Sequence, residues 1–211
     1  MKKWLFIIVF AAVLLLAGIW IGRTDSSYPF MRWFSQNPWG YRMGNMMQGN
    51  RLYLNDQVTS SENIGNQTAR SLRQAKIDRG KSTITYSHNQ VNLIIQSGTG
   101  KNDGKFVIDN MANPTIYIPE NAFVTLQFDN QDKDVPHGFE VTTAVPPYDQ
   151  MAMMDGAAVG NSIIPPLPEA HNQQYPVGQT AFRFNRPGQY YYICQYPGHA
   201  AKGMYGKMIV E

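Results

Sequence analysis

The sequence YYYICQYPGHAAKGMYGKMIV occupies residues 190–210, close to the end of a chain of 211 residues. It contains Cys194, the only cysteine of the protein, followed by His199 and then Met204 with four residues in each interval. A β-forming run precedes the cysteine and another follows the methionine. A thiolate, an imidazole and a thioether in one tight loop between two strands are three of the four ligands of a type-1 copper site. This stretch therefore predicts a metal-binding loop.

Cys194 by itself has a plainer interpretation, because a lone cysteine is most often a small buried hydrophobic residue. The histidine and methionine that follow it favour a ligand instead, since their spacing lets a tight loop bring all three side chains to one point. Pro197 and Gly198 supply the bend of that loop, while Gly203 and Gly206 flank the methionine and allow close backbone packing. We therefore interpret Cys194 as a ligand.

The fourth ligand should be a histidine on a strand beside the cysteine strand, and the candidates are His88, His137 and His171. His137 fits best because it follows an alternating strand at 123–129 and a polar turn, and it opens the next strand. His88 lies in a polar turn and His171 in a polar stretch, so we expect both to be exposed. They remain the alternatives at this point.

A single copper ion is the cofactor that these residues predict. Two imidazoles and a thiolate with a weak axial thioether suit both copper oxidation states, as an electron carrier requires. One cysteine excludes a binuclear copper centre, and four histidines are too few for a multicopper enzyme. No G-x-S-x-G motif indicates a serine nucleophile. The sequence thus favours an electron carrier over an enzyme.

The composition is typical of an all-β domain. Gly and Pro punctuate the second half of the chain, with short β-branched and aromatic runs between them. Between residues 81 and 211 these runs predict about eight strands in a β-sandwich with Greek-key connections. The formal net charge of +3 is small and scattered, which excludes a nucleic-acid partner. The single cysteine excludes an internal disulfide.

Residues 1–23 predict a membrane anchor. Residues 4–22 carry no charge and, at about 1.5 Å per residue, nearly cross a hydrocarbon core of about 30 Å. Trp4 and Trp20 lie at its two ends, where aromatic belts form, and the two lysines before it would stay in the cytoplasm. We expect an inner-membrane anchor with the rest of the chain in the periplasm. A cleaved signal that leaves a soluble periplasmic protein is the alternative.

Residues 24–80 predict an extension or linker. Much of it is rich in Asn, Gln, Gly and Ser, with Met43, Met46 and Met47 among them. A tether is the first interpretation, and a thioether site that captures Cu(I) is the second. Apolar residues at three- to four-residue spacing predict a short helix near 61–77, lying on the β-domain.

A resemblance to a known family rests on four segments: residues 113–119 (NPTIYIP), His137-Gly138-Phe139, Pro146-Pro147-Tyr148 with the Met-rich loop after it, and the loop at 190–210. From about residue 80 to its end, the chain resembles the rusticyanin family, the periplasmic blue-copper proteins of acidophilic iron-oxidising bacteria. The spacing of the C-terminal ligands also suits the similar sulfocyanins.

The resemblance implies a cupredoxin sandwich with four copper ligands, His137, Cys194, His199 and Met204. It also implies electron transfer between a c-type cytochrome and a terminal oxidase during Fe(II) respiration. The family pattern has a serine after the first ligand histidine, where this chain has Gly138. We assign Gly138 and Asn130 to the surroundings of the metal ligands. Because hydrogen bonds around a metal tune its potential, we expect Gly138→Ser to raise the reduction potential.

His199 is the expected electron port, because a C-terminal ligand on a loop usually reaches the surface. Around it we predict an apolar docking patch made of Pro136, Met153, Pro197, Ala200 and Ala201. A c-type cytochrome or another redox protein would dock there weakly, as redox partners do. The alternative function is a membrane-tethered copper chaperone or storage protein that uses the methionines of the extension.

Overall fold

The computed structural model describes residues 57–211, which contain thirteen strands and one α-helix. Helix α1 covers Ser61–Ser71. In chain order the strands are β1 (Val58–Thr59), β2 (Ala75–Asp78), β3 (Thr83–Tyr86), β4 (Gln90–Ser97), β5 (Phe106–Ile108), β6 (Met111–Ala112), β7 (Thr115–Ile118), β8 (Phe123–Asp129), β9 (His137–Thr142), β10 (Ile163–Leu167), β11 (Tyr175–Arg183), β12 (Gly188–Ile193) and β13 (Tyr205–Val210).

These strands form two sheets that share one core. The first sheet has the order β1-β11-β8-β4-β5-β6, and the second has the order β10-β9-β12-β13-β7-β3-β2. Most neighbours are antiparallel, but β4 with β8, β3 with β7, and β7 with β13 are parallel pairs. Parallel neighbours need connections that cross from one sheet to the other, so the chain cannot be a simple meander. The predicted β-sandwich with a short helix is confirmed.

Alternating side chains build the core between the sheets. In β13 every second residue is buried, and β7 follows the same pattern. Phe106 lies at the centre and meets three aromatic rings edge-on, those of Phe128 at 5.8 Å, Phe139 at 6.0 Å and Tyr192 at 5.2 Å between centroids. Edge-to-face pairs of this kind add about 0.5–1.5 kcal/mol each beyond area burial. The predicted metal ligands, which are described below, extend from this packed core.

Helix α1 is shorter than the helix predicted near 61–77. The Ser60 hydroxyl caps its start by accepting a hydrogen bond from the Asn63 N–H, and a single 3₁₀ turn at Leu72–Gln74 follows its end. Residues 75–78 then form β2, which pairs with β3 and becomes the edge strand of the second sheet. The prediction failed there because the unpaired edge of β3 offers hydrogen bonds that a further helical turn could not use.

Residues assigned to the extension and to a long loop also join the sheets. Val58–Thr59 pairs with β11, so the sandwich begins well before residue 81. Ile163–Leu167 forms β10 in the segment after Pro146-Pro147-Tyr148, where the sequence indicates a Met-rich loop. Pro165 and Pro166 make this strand hard to predict from the sequence, because proline has no backbone N–H to donate to a neighbouring strand. They are tolerated because β10 is an edge strand with an irregular register between Ile164 and Leu167.

The predicted anchor at 1–23 and the methionines Met43, Met46 and Met47 lie outside the described residues. Between residues 57 and 211, no helix combines the length and the apolar character that crossing a membrane requires.

The carboxyl groups of Asp129 and Glu140 lie inside the sandwich, each residue at most 1% exposed. On β8, Oδ1 of Asp129 accepts a hydrogen bond from the Gln127 amide at 2.9 Å, while Oδ2 has no partner among residues 57–211. Glu140 on β9 has the same arrangement, with the Gln195 amide donating to Oε2 at 2.8 Å and Oε1 without a partner in the described part of the chain. Burial raises the pKa of each carboxyl to about 7, because the charged form is poorly solvated there.

We predict that Asp129 makes the fold less stable as the pH rises from about 5 to about 8. The folded-state pKa of about 7 lies above the ordinary value of 3.8, so the folded state holds the proton more tightly than the unfolded state. That advantage is complete below the ordinary pKa and is lost as the pH rises through about 7. About two pKa units are crossed between pH 5 and the folded-state pKa, so at about 1.4 kcal/mol per unit the loss should be roughly 3 kcal/mol.

Urea unfolding of wild type and Asp129→Asn at pH 5 and pH 8 measures this effect as a difference, which removes the contribution of other titrating groups. The wild type should lose stability relative to the variant at the higher pH. Glu120→Gln, at an exposed position, is the matched control and should show no such change. A pH-independent difference between wild type and Asp129→Asn would contradict the prediction.

Candidate metal centre

Three of the four predicted ligands converge in space. The ligand atoms of His137, Cys194 and His199 all lie within 4.8 Å of one another. The two Nδ1 atoms are 3.0 Å apart, and the sulfur of Cys194 is 3.7 Å from Nδ1 of His137 and 3.6 Å from Nδ1 of His199. His88 and His171 are exposed and take no part in this cluster. Among the candidates for the fourth ligand, the structure thus brings His137 to the site.

Sheet pairing explains the convergence. His137 begins β9 and Cys194 directly follows β12, and these strands are antiparallel neighbours. The loop after Cys194 is closed by two backbone hydrogen bonds, from the Cys194 N–H to the Met204 carbonyl at 3.1 Å and from the Met204 N–H to the His199 carbonyl at 2.9 Å. Gly198 has a φ of +79°, which a glycine adopts without strain at the bend.

Met204 lies at the foot of the same loop. Its side chain is 1% exposed and belongs to the same core cluster as Cys194. The backbone bonds to Cys194 and His199 fix its position relative to both ligands. Its role as the weak axial ligand stays a prediction.

The protonation states of the three side chains suit metal binding. Burial lowers the pKa of His199 to about 4, helped by the nearby His137 and Lys202, and burial also lowers the pKa of His137. Both imidazoles are therefore neutral at pH 7, with lone pairs free for a metal. Burial raises the pKa of the Cys194 thiol to about 11, although two backbone N–H groups oppose this effect. A metal must displace that proton, as thiolate ligation requires.

The three atoms fit a copper ion in size and in chemistry. A triangle with edges of 3.0, 3.6 and 3.7 Å has its centre about 2.0 Å from each corner, close to the usual metal–imidazole distance of about 2.0–2.1 Å. Two imidazole nitrogens and one thiolate in such a plane, with a thioether nearby, are the donor set of a type-1 copper site. Copper bound here would supply reversible one-electron oxidation and reduction.

The ring of His199 reaches the surface. His199 is half-buried, and Tyr196 packs beside it with ring centroids 4.7 Å apart. Within the predicted docking patch, Ala201 is exposed, and three residues are partly exposed, namely Pro136, Met153 and Pro197. Ala200 does not belong to this surface, which corrects the prediction. It is 2% exposed because it packs under the loop in a cluster with Ala152, Tyr191 and Ile193.

Asn130 supports the loop that leads to His137. It is fully buried, and its Oδ1 accepts hydrogen bonds from the Ser97 hydroxyl at 2.8 Å and the Asp132 N–H at 3.1 Å. Its Nδ2 donates to three backbone carbonyls, those of Val135, Leu167 and Pro168. Asn130 therefore fixes the segment before His137 against β10 and makes no hydrogen bond with a ligand side chain.

The difference between Gly138 and a serine at this position is more than the loss of a hydroxyl group. A β-carbon at this position would lie 2.8 Å from the Ile164 carbonyl oxygen, 3.0 Å from the Pro166 nitrogen and 3.1 Å from the Pro165 carbonyl carbon. The backbone of β10 thus occupies the space that a serine side chain would need. Gly138→Ser would have to displace that backbone, so it cannot isolate the effect of a hydroxyl on the reduction potential.

Asp132 is a neighbour of the site that sequence reasoning missed. Its Oδ2 lies 3.0 Å from Nε2 of His137, the ring nitrogen that faces away from the other ligands. The polar turn before His137 contains both Asp132 and Asp134. The sequence does signal a carboxylate near the ligand, but only the fold shows which of the two faces the ring.

Comparisons with known proteins agree with this geometry. Residues 112–211 match the family of copper binding proteins described as the plastocyanin/azurin family. The rusticyanin of Acidithiobacillus ferridurans is 37% identical over 139 residues, which cover 64% of this chain and 72% of the relative. This chain belongs to the rusticyanin family. The resemblance seen in the sequence is thereby confirmed, and the protein is a blue-copper protein of the electron-transfer class.

Other relatives place this rusticyanin-family member among the copper proteins. Auracyanin-B of Chloroflexus aurantiacus is 32% identical over 110 residues, which cover 47% of this chain and 46% of that protein. A solved structure of reduced rusticyanin superposes with a TM-score of 0.63 at 27% identity, covering 74% of this chain and 99% of that one. A structure of rusticyanin from Thiobacillus ferrooxidans gives a TM-score of 0.62 at 29% identity, covering 74% of this chain and 96% of the other.

We predict that Gly138→Ala destabilises the fold by about 1–3 kcal/mol, the usual range for an overpacked core position. The added carbon meets backbone atoms of β10, which cannot rotate away as a side chain can. The shift should also disturb His137 and change the visible spectrum of the copper-loaded protein.

Gly65→Ala is the matched control for this substitution. Position 65 lies in α1 with nothing within 4 Å of an added carbon, so alanine should there raise stability by up to about 1 kcal/mol. Urea unfolding of both variants measures the contrast. A Gly138→Ala protein as stable as wild type would contradict the prediction, because the β10 backbone would then move aside at little cost in stability.

Proposed function

We propose that this protein is a periplasmic carrier of single electrons, anchored to the inner membrane through residues 4–22. It exchanges electrons with a c-type cytochrome or another redox protein, and its pathway ends at a terminal oxidase during Fe(II) oxidation by an acidophile. The observation that carries the proposal is a three-ligand site held by the sheets, with only the His199 edge near the surface.

Rigid ligand placement supports electron transfer. Backbone ladders hold Cys194 and His137, and the core packs around the sulfur. Ligands that keep their positions in both copper oxidation states lower the reorganisation energy of each transfer. A half-buried imidazole gives a short route from the metal to a docked partner. The site thus combines a fixed centre with one accessible ligand.

The burial of the sulfur ligands argues against a copper chaperone. Cys194 and Met204 are each 1% exposed, so an incoming copper acceptor could not reach either sulfur without opening the loop. A chaperone site exchanges its metal readily and needs accessible ligands. The methionines Met43, Met46 and Met47 could serve copper capture elsewhere in the chain, but the described site is built for retention.

The surface around His199 suits a transient redox partner. Pro136, Pro197 and Ala201 offer small apolar contacts. Electron-transfer encounters typically bury less than about 1,200 Å², which permits fast dissociation after each transfer. A cytochrome that presents its haem edge to this patch would approach the imidazole of His199.

The location rests on the N-terminal sequence and on the family. Residues 4–22 are long enough and apolar enough to remain in the inner membrane. The lysines before them favour the orientation that leaves residues 24–211 in the periplasm. The intact mass of the protein purified from its natural membrane decides between an anchored and a cleaved form.

We predict that the copper-loaded full-length protein in detergent is intensely coloured by thiolate-to-Cu(II) charge transfer and bleaches on reduction. Cys194→Ser and His137→Ala should abolish this absorption, because each removes one of the three clustered ligands. His171→Ala is the matched control and should keep the full spectrum, since His171 is exposed and lies outside the cluster. Absorption spectra with metal analysis make the measurement. A colourless protein that retains zinc would disprove the proposal.

A second prediction concerns the docking patch. Ala201→Glu should slow bimolecular electron transfer to a soluble c-type cytochrome by tenfold or more, on the order of 1.4 kcal/mol, because a charge would be buried in an apolar contact. Stopped-flow mixing measures the rate. Val58→Glu, at an exposed apolar position in the other sheet, should leave the rate unchanged. Equal rates for both variants would exclude this face as the port.

A further inference from the structure

The two ligand histidines differ in how their second ring nitrogen is used. Nε2 of His137 lies 3.0 Å from Oδ2 of Asp132, while Nδ1 faces the other ligands. In the described part of the chain, the His199 ring makes hydrogen bonds only with His137 and Cys194. The structure therefore gives a carboxylate partner to the buried imidazole alone.

Asp132 is itself held firmly in place. It is 7% exposed, and its Oδ1 accepts a hydrogen bond from the Asp134 N–H at 2.8 Å. Its backbone N–H donates to Asn130 at 3.1 Å and to the Ser97 hydroxyl at 3.2 Å. A carboxylate fixed on both its backbone and its side chain can set the angle of the ring that it contacts.

We propose that Asp132 is a positioning residue that fixes the His137 ring with Nδ1 toward the copper and, through its negative charge, favours Cu(II) over Cu(I). The Asp132 carboxylate accepts the Nε2–H bond, which leaves the Nδ1 lone pair for the metal. A carboxylate in this position makes the imidazole a more basic ligand. A more electron-rich ligand stabilises the more highly charged metal ion, so Asp132 lowers the reduction potential below the value that a neutral acceptor would give.

Asp132→Asn separates charge from geometry. The amide oxygen can still accept the Nε2–H bond, and the side chain keeps its size, but the negative charge is lost together with the bond from the Asp134 N–H. We expect a higher reduction potential and an affinity for Cu(II) that falls by about 10–100-fold, as is usual when the partner of a metal-binding histidine is altered. The metal-free protein should still unfold cooperatively, at a somewhat lower urea concentration than wild type, because the bond from the Asp134 N–H is lost.

Asp134→Asn is the matched control because it removes the same charge two residues away. Its side chain is exposed and makes no hydrogen bond among the described residues. Its potential and Cu(II) affinity should stay at the wild-type values. Asp132→Glu keeps the charge and should have a potential closer to wild type than Asp132→Asn has.

The measurements are potentiometry and competitive Cu(II) titration of the full-length protein. If Asp132 only braces its loop, Asp132→Asn will match wild type in potential and affinity, and the proposal is overturned. Equal shifts in Asp132→Asn and Asp134→Asn would also overturn it, since a distant charge would then act as strongly as the contact.

A measurement on the wild type covers the case in which the Asp132 variants do not fold. In the Cu(I)-loaded protein, nitrogen-15 NMR of the histidines should show His137 with a proton on Nε2 that exchanges slowly with water. The exposed His171 should show rapid exchange and serves as the reference within the same sample. An unprotonated or rapidly exchanging Nε2 of His137 would overturn the proposal without any substitution.

Discussion

The antiparallel pairing of β12 with β13 is the constraint on which the copper site depends. Ile193 lies opposite Tyr205, so the chain leaves one strand and enters the other at the same level of the sheet. The bonds of Cys194 and His199 with Met204 close the segment between the two strands from inside. The positions of the ligands are therefore set by a backbone ladder, and ligands held in fixed positions favour electron transfer.

The rest of the sandwich supplies the remaining ligand, His137, and gives the two imidazoles different surroundings. Strand β9 lies between β10 and β12, which places His137 beside the sulfur. Asn130 and Asp132 hold the turn that leads into β9, so His137 is the buried and fixed member of the two ligand histidines. His199 has the freer ring, packed beside Tyr196 and open on one side. One histidine is thus fixed inside the fold, and the other lies partly exposed beside Tyr196.

The parts of the fold that follow local rules could be predicted from the sequence. Phe123–Asp129 forms a strand with the predicted bounds, and the spacing after Cys194 predicted the metal-binding loop. The rest depended on contacts between distant segments. Strand β10 carries two prolines that mask it, and the burial of Ala200 follows from a cluster formed by three separate elements. The orientation of Asp132 likewise depends on how the turn folds against β10.

The close approach of β10 to Gly138 has a consequence for variation within the family. Main-chain atoms of residues 164–166 fill the volume beside the first ligand, so position 138 can gain a side chain only if the backbone of β10 moves. A relative with a side chain after its first ligand histidine must route this edge strand differently. Chimeras that exchange single residues between such relatives would combine two incompatible backbones. The unit of exchange is the strand pair β9–β10, and engineering of this protein should transfer both strands together.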